Sequence, residues 1–226
     1  MTAVLAPLGV FGGTFDPIHY GHLELAREVR DALRLAAVRI IPAGDPPHRA
    51  VPVATAAHRL AMVELALEDF PGLELDRREV DRPGRSYTAL TLESLRAEAP
   101  ARPLALIVGA DAFLGLPGWY RWREILTLAH LVVVDRPGSP FPDHLPPLLA
   151  DEWARRQVSE PAALSGATAG AILVQPITPH DISASSIRLQ LARGSDGVAA
   201  VRGLLPPAVL AYIDRNQLYR SRPDAP

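Results

Sequence analysis

Two histidines three residues apart, His19 and His22, lie in the segment GGTFDPIHYGH, which covers residues 12–22. Residues three apart can share one side of a helix, and a helix N-terminus presents unpaired N–H groups and a positive dipole. Imidazolium rings at this position would add charge and hydrogen-bond donors for an anion. The segment therefore predicts a phosphate-binding helix start. A capped helix with two incidental histidines is the alternative.

The same segment supplies backbone that a ligand could approach closely. Gly12, Gly13 and Gly21 lack a Cβ, Thr14 adds a hydroxyl, and Asp16 with the proline after it is typical of a turn. The order of the glycines does not match G-x-G-x-x-G, so a generic dinucleotide-binding loop is the weaker interpretation.

A second candidate phosphate site is ISASSIR, residues 182–188. Ser185, Ser186 and the N–H groups of a helix start can donate to phosphate oxygens, and Arg188 can face the same way as Ser185. The planar guanidinium suits bidentate phosphate contact. Taken alone, the segment could equally be a serine-capped helix with a surface arginine.

The composition excludes several classes of chemistry. The 226 residues include 23 basic and 25 acidic side chains, giving a net charge of −2, so no global field attracts nucleic acid or an anionic membrane. Cysteine and lysine are both missing from the sequence. Disulfides, thiolate catalysis, a Walker-A phosphate loop and lysine Schiff bases are therefore excluded.

The hydrophobic pattern predicts a protein that neither crosses a membrane nor carries a leader. Hydrophobic residues make up 48% of the chain, enough for a large core. We find no apolar run of about 18–20 residues and no basic region before the first apolar residues. The expected location is the cytoplasm.

Short strand patterns alternate with helical ones, which favours βαβ units and a parallel sheet. The predicted strands are 8–11, 38–42, 73–76, 104–108, 130–134 and 171–176. The predicted helices are 21–35, 55–69, 88–99, one that includes 122–126, 147–157, 184–193 and 207–216. Polar, glycine-containing clusters follow four of these strands, where open parallel sheets bind ligands, so one shared site is expected.

GGTFDPIHYGH and ISASSIR together resemble the (H/T)xGH and ISSTxxR signatures of the nucleotidylyltransferase superfamily. The second signature departs at Ala184 and Ser185, although a hydroxyl remains at 185. The resemblance implies an α/β chain with a Rossmann-like doubly wound parallel sheet and helices on both faces. It also implies one nucleotidylyltransferase domain over 1–226, with 177–226 as its C-terminal helical part.

Four further segments are similar to bacterial nicotinate-nucleotide adenylyltransferases: residues 41–49, 82–95, 107–126 and 204–219. The implied reaction transfers AMP from ATP to nicotinate mononucleotide, giving nicotinate adenine dinucleotide and pyrophosphate for NAD biosynthesis. Nicotinamide mononucleotide or phosphopantetheine are alternative acceptors. A nucleotide-binding sensor that has lost catalysis is the alternative from another class.

The resemblance also implies a role for each matched residue. Catalysis is expected from His19, His22 and Arg188. ATP binding is expected from Gly12, Gly13, Thr14, Phe15, Gly21, Gly109, Asp111, Ile182, Ser185 and Ser186. Acceptor binding is expected from Arg49, Thr88, Trp119 and Tyr120, with Trp119 stacked on the nicotinate ring.

Several of these positions have simpler alternatives. Thr88 and Asp111 could be helix N-caps, and Trp119 could be a core anchor. Arg49 stands where the family usually has lysine and could be merely solvated. A core position is favoured for Trp122, and a solvated face for the arginines of 77–85.

The expected partners are ATP and nicotinate mononucleotide, without nucleic acid or membrane. Mg²⁺ should arrive with ATP, held by phosphates and water, and no protein-only metal site is expected. The expected assembly is a monomer or a small homo-oligomer.

Overall fold

One parallel sheet organises the chain. The structure is a computed structural model that describes residues 5–46, 51–135 and 145–220. The strands are β1 (Leu8–Gly13), β2 (Ala37–Pro42), β3 (Leu73–Leu75), β4 (Leu104–Gly109), β5 (His130–Asp135), β6 (Gln157–Val158) and β7 (Ile172–Pro176). They form one sheet in the order β3-β2-β1-β4-β5-β7-β6, and each neighbouring pair is parallel.

The strand order reverses beside β1. The chain runs outward from β1 through β2 to β3, then returns to the other side of β1 with β4 and β5. In β1, Leu8 is opposite Ala37 of β2 on one side and Leu104 of β4 on the other. Such a reversal leaves a crevice beyond the carboxyl ends of the strands, where open α/β sheets bind ligands.

Helices follow most strands. Those in the described residues are α1 (Tyr20–Ala32), α2 (Ala56–Leu67), α3 (Arg78–Asp81), α4 (Thr88–Glu98), α5 (Ala110–Leu114), α6 (Trp122–Leu128), α7 (Pro147–Arg156), α8 (Ala184–Leu191), α9 (Ser195–Ala200) and α10 (Pro207–Arg215). None of the helices in these parts of the chain is long and apolar enough to cross a membrane.

The two faces of the sheet pack against different helices. In β4, Ala105 and Ile107 join a core with α1, α2 and α8 to α10, whereas Leu106 and Val108 join a core with α4 to α7. Successive strand residues point to opposite faces, so a strand that is apolar throughout needs cover on both sides. The predicted fold class, a doubly wound sheet with helices on both faces, is confirmed.

The sequence predicted the long elements and missed the short ones. Each predicted strand and helix has a counterpart, with ends that differ by a few residues. The elements α3, α5, α9 and β6 were not predicted. They have between two and six residues, too few to produce a recognisable period.

The C-terminal helices belong to the core of the sheet. Ile187 of α8, Val201 after α9 and Val209 of α10 lie in the same buried cluster as Val132 of β5. This packing brings residues 182–188 (ISASSIR) to the edge of the sheet at which β1 ends, next to residues 12–22 (GGTFDPIHYGH).

Candidate active site

The two signature histidines stack on each other. Helix α1 begins at Tyr20 with His19 as its N-cap, and the ring centroids of His19 and His22 lie 3.7 Å apart at an interplanar angle of 27°. His19 is buried, with 4% of its surface exposed, while His22 is half-buried. A Cβ at Gly21 would lie 3.1 Å from the His19 ring, so this glycine makes room for the imidazole.

Phe15 packs against the histidine pair through the His22 ring. Its ring meets His22 edge to face at 5.1 Å, and its backbone has a φ of 49°. A Cβ at Gly13 would lie 2.8 Å from the Phe15 ring. At Gly12 the nearest atom outside its chain neighbours lies 4.0 Å from such a Cβ, so Gly12 is the glycine of the segment that stays open to a ligand.

Two adjoining cavities lie at the carboxyl end of the sheet. The larger has a volume of about 550 Å³ and the smaller about 280 Å³. They share part of their lining: Gly12, Gly13, Thr14, Ile107, Val108, Asp111, Ala112 and Trp119. The ends of β1 and β4 therefore form a common floor, and two ligands bound side by side would meet over it.

The larger cavity gathers most of the residues expected to bind ATP. Those that line it are Gly12, Gly13, Thr14, Phe15, Gly109, Asp111 and Ser185. His22 and Arg188, which are expected to be catalytic, line it as well. His19, Gly21, Ile182 and Ser186 are not among the residues that line it. Ile182 packs against Gly21, with its Cβ 3.5 Å from where a Gly21 Cβ would stand. The two signature segments are thus in direct contact.

Helix α8 is serine-capped, but by a serine that the sequence analysis did not select. The Ser183 hydroxyl accepts the N–H of Ser186 at 3.2 Å, which leaves Ser185 to line the cavity. Arg188 is half-buried and donates from Nη1 to the backbone carbonyl of Asp16 at 2.7 Å. The alternative of a surface arginine is therefore wrong.

The smaller cavity contains the described residues expected to bind the acceptor: Thr88, Trp119 and Tyr120 line it. Helix α4 has Tyr87 at its N-cap position, so the interpretation of Thr88 as an N-cap is wrong. Tyr120 is 46% exposed, and its ring lies 4.5 Å from that of Tyr87. The first turn of α4 presents backbone N–H groups at the cavity wall. Arg49 lies outside the described residues.

Trp119 and Asp111 both lie on the boundary between the cavities. Trp119 is half-buried at the end of a short 3-10 turn, and lines both cavities. Asp111 is exposed in the first turn of α5, whose N-cap position is Gly109, so Asp111 is not the cap. Trp122, the first residue of α6, is in contrast buried in the core that includes α4 to α7, so the core position predicted for it is confirmed.

The two cavities differ in their basic side chains. Among the described residues, the larger is lined by His22 and Arg188 together with the carboxyls of Asp16 and Asp111. The smaller is lined by the carboxyls of Glu79 and Asp111 and by no basic side chain. No group of three or more His, Asp or Glu side chains could hold a metal ion within 5–46, 51–135 and 145–220. Arg188 and His22 accordingly give the larger cavity side-chain donors that could bind phosphates.

Glu79 was not identified from the sequence. It is 8% exposed, lines the smaller cavity, and accepts the Thr91 hydroxyl at 2.6 Å. Burial raises the pKa of its carboxyl above the ordinary value. Its neighbour Arg78 pairs with Asp76 and Glu98 and is largely buried, so the predicted solvated face is wrong at this arginine. An acid in a polar segment carries no sequence signal of such burial.

Arg59 was also missed. It lies in α2, is 1% exposed, and donates to the carbonyls of Thr14 at 2.8 Å and Gly44 at 3.0 Å. It therefore joins the loop after β1 to the loop after β2. The unusual placement of an arginine among the apolar residues of α2 was a signal that could have identified it.

Comparison with known proteins agrees with this geometry. A family model described as cytidylyltransferase-like matches residues 10–190. A protein of Halorhodospira halophila named "Probable nicotinate-nucleotide adenylyltransferase" is 51% identical, with 92% of this chain and 93% of that protein covered. A protein of the same name from Laribacter hongkongensis is 49% identical, with 96% of each chain covered.

A solved structure shares the fold. It is Plasmodium falciparum nicotinic acid mononucleotide adenylyltransferase complexed with NaAD, with a TM-score of 0.70 at 15% identity, covering 95% of this chain and 97% of that one. At this identity the similarity concerns the fold alone. From the family match and the relatives at about half identity over nearly the whole length, the chain belongs to the cytidylyltransferase-like family and, within it, to the nicotinate-nucleotide adenylyltransferases.

Proposed function

We propose that this chain transfers AMP from ATP to nicotinate mononucleotide, releasing pyrophosphate and forming nicotinate adenine dinucleotide. The observation that carries the proposal is the pair of adjoining cavities with a shared floor between Gly12 and Asp111. One cavity has the side-chain donors of Arg188 and His22 for a triphosphate, and the other has a helix N-terminus and aromatic side chains for a ring bearing a carboxylate. The names of its close relatives give the same reaction.

ATP occupies the larger cavity. His22 lies with its imidazole beside the α- and β-phosphates, and Arg188 and Ser185 hold the phosphates that leave as pyrophosphate. His19 keeps the His22 ring in place by stacking on it at 3.7 Å. Asp111 accepts hydrogen bonds from ribose hydroxyls, for which its exposed carboxylate is free to turn.

Nicotinate mononucleotide occupies the smaller cavity. Its ring stacks on Trp119, and its carboxylate meets the backbone N–H groups near Thr88 and Tyr120. The helix dipole of α4 supplies positive potential where the described lining has no cationic side chain. The 5′-phosphate then points over the common floor towards ATP.

The reaction needs no nucleophile from the protein. An ionised phosphate oxygen of the mononucleotide attacks the α-phosphorus of ATP, the bond to the β-phosphate oxygen breaks, and pyrophosphate carries the negative charge away. Mg²⁺ enters as part of the substrate, bound to ATP phosphates and water. The chain contributes positioning and donors for the charge that develops on the phosphates.

A comparison of acceptors tests the proposal. The purified chain is mixed with ATP, Mg²⁺ and one of three acceptors: nicotinate mononucleotide, nicotinamide mononucleotide or phosphopantetheine. We expect the fastest pyrophosphate release with the first, and loss of activity when the Mg²⁺ is chelated. Faster turnover of another acceptor would reassign the smaller cavity. A chain that binds ATP but releases no pyrophosphate with any acceptor would be a nucleotide sensor.

A further inference from the structure

Asp16 is the centre of a hydrogen-bond cluster that joins the first signature segment to distant parts of the chain. Its carboxylate accepts the backbone N–H groups of Val53 at 2.8 Å and Ala54 at 3.1 Å, and the hydroxyl of Tyr219 at 2.7 Å. Its backbone carbonyl accepts Nη1 of Arg188 at 2.7 Å. Asp16 is 5% exposed and lines the larger cavity, so the state of this cluster bears directly on the ATP site.

Tyr219 reaches Asp16 through an uncommon backbone path. After α10 ends, Gln217 and Tyr219 have φ angles of 54° and 63°, a region that residues other than glycine seldom adopt. This turn returns the chain to the core, where the Tyr219 ring is buried. The burial of the ring and the hydrogen bond to Asp16 raise the pKa of the hydroxyl, which therefore stays protonated and donates.

The charges around Asp16 make this donor important. Two guanidinium groups act on the cluster, those of Arg188 and Arg59. A carboxylate with three donors is held in one place, and its charge is partly neutralised. Without the Tyr219 donor, less of the carboxylate's negative charge is compensated and the group is freer to turn towards Arg188. There it would compete with the phosphates of ATP for the guanidinium.

We propose that Tyr219 is a positioning residue for ATP binding: its hydroxyl fixes the Asp16 carboxylate and so keeps Arg188 available to the phosphates. The inference rests on the proposed function only in assigning ATP to the larger cavity. It also gives the C-terminal segment LLPPAVLAYIDRNQLY, residues 204–219, a role at the ATP site, through its last residue, Tyr219.

The substitution Tyr219→Phe tests this assignment, since it removes the hydroxyl and keeps the ring. Binding of ATP without acceptor is measured by calorimetry, and KM is measured for both substrates. A hydrogen bond to a charged group is worth enough that ATP affinity should fall about tenfold, with a parallel rise in KM for ATP. The KM for nicotinate mononucleotide should stay within about twofold, because the smaller cavity does not include Asp16.

The matched control is Tyr212→Phe. This hydroxyl also makes one long-range hydrogen bond, to Nδ1 of His58 at 2.9 Å, and it joins α10 to α2 without touching Asp16. Its ATP affinity should equal that of the wild type. Unchanged ATP affinity in Tyr219→Phe, or an equal loss in both variants, would overturn the proposal. A lower melting temperature with both KM values unchanged would overturn it as well.

A double-mutant cycle with Asp16→Asn supplies a second, independent measurement. The single substitution removes the negative charge that would compete with ATP for Arg188, and its ATP affinity is the reference for the cycle. In the Asp16→Asn background, Tyr219→Phe should cost less than about twofold, because no carboxylate is then present to compete for Arg188. A full tenfold loss there would contradict the role of Asp16. Failure of the wild type to release pyrophosphate would overturn the proposed reaction, while calorimetry with ATP would still test Tyr219.

Discussion

The imidazole rings of His19 and His22 stack at 3.7 Å, yet they have different surroundings. His22 lines the larger cavity, whereas His19 is buried at the N-cap position of α1 and is not part of the cavity lining. The three-residue spacing in the sequence does not show which of the two histidines faces the cavity. This packing supports the proposed roles, in which His22 meets the nucleotide and His19 orients His22.

Replacement of His22 by alanine should reduce kcat by at least about 10², since one donor to the developing charge is lost. The melting temperature should stay near that of the wild type, because the side chain is half-buried and lies at the cavity. Steady-state kinetics and calorimetric melting measure both quantities. His180→Ala, a histidine in a separate surface pocket, should keep the wild-type kcat. Unchanged turnover in His22→Ala would remove His22 from the mechanism.

Replacement of Trp119 by alanine should raise the KM for nicotinate mononucleotide more than the KM for ATP. The reason is the stacking surface that the indole offers beside Thr88 and Tyr120 in the smaller cavity. Trp119→Phe keeps an aromatic face and should recover most of the affinity. Kinetics with each substrate varied in turn provide the measurement. A larger rise for ATP would place Trp119 with the nucleotide triphosphate instead.

Substitution of Glu79 by glutamine should flatten the pH dependence of stability above the ordinary carboxyl pKa of 4.5. Burial raises the pKa of Glu79, so the folded chain holds a proton that the unfolded chain releases. The stability that this proton contributes is lost as pH rises from the ordinary pKa of 4.5 through the raised pKa of Glu79 in the folded chain. At pH 7 the variant should therefore melt no lower than the wild type.

Glu98→Gln is the matched control for Glu79→Gln. The hydrogen bond from Arg78 lowers the pKa of Glu98, so its stabilising contribution is lost as pH falls instead. Compared with the wild type, the pH dependence of the melting temperature should change above the ordinary pKa of 4.5 in Glu79→Gln and below it in Glu98→Gln. A change in the same pH range in both variants would contradict the buried environment assigned to Glu79.

Substitution of His130 by asparagine should reduce the loss of stability below a pH of about 6.5. The buried ring accepts the Ala171 N–H at Nδ1 over 3.0 Å, and its Nε2 lies 2.9 Å from the Ala167 carbonyl. Burial lowers the pKa of this imidazole, so in that range the unfolded chain binds a proton that the folded one does not. Melting temperatures at pH 5 and 8 should therefore differ more for the wild type. An equal difference in the variant would contradict the prediction.

The sequence predicted the sheet because each long strand is a short, almost continuous apolar run followed by polar residues and glycine. The strand LALIV, residues 104–108, is an example, and its burial on both faces follows from that pattern. The elements that were missed, such as α5 between Gly109 and Gly115, have too few residues to show a period.

Part of the candidate site could also be predicted from the sequence. Residues of the two signature segments come together at the larger cavity, although Ser185 and His22 are far apart in the chain. The roles assigned to these residues stay predictions until the variants are measured. The alternative interpretations of Thr88 and Asp111 as N-caps were wrong, because the N-cap positions are Tyr87 and Gly109, one and two residues earlier.

By itself, the sequence determined the chemistry available and its order along the chain: histidines at the start of α1, serine and arginine in α8, and neither cysteine nor lysine. These features are local, and short-range periodicity and motifs report them. The tertiary structure decided which histidine faces the cavity, that Glu79 and Arg59 are buried, and that Tyr219 meets Asp16. Such contacts depend on how helices pack on the sheet. The hydrogen bond between Tyr219 and Asp16 joins residues 203 apart, so the local sequence around either residue does not predict it.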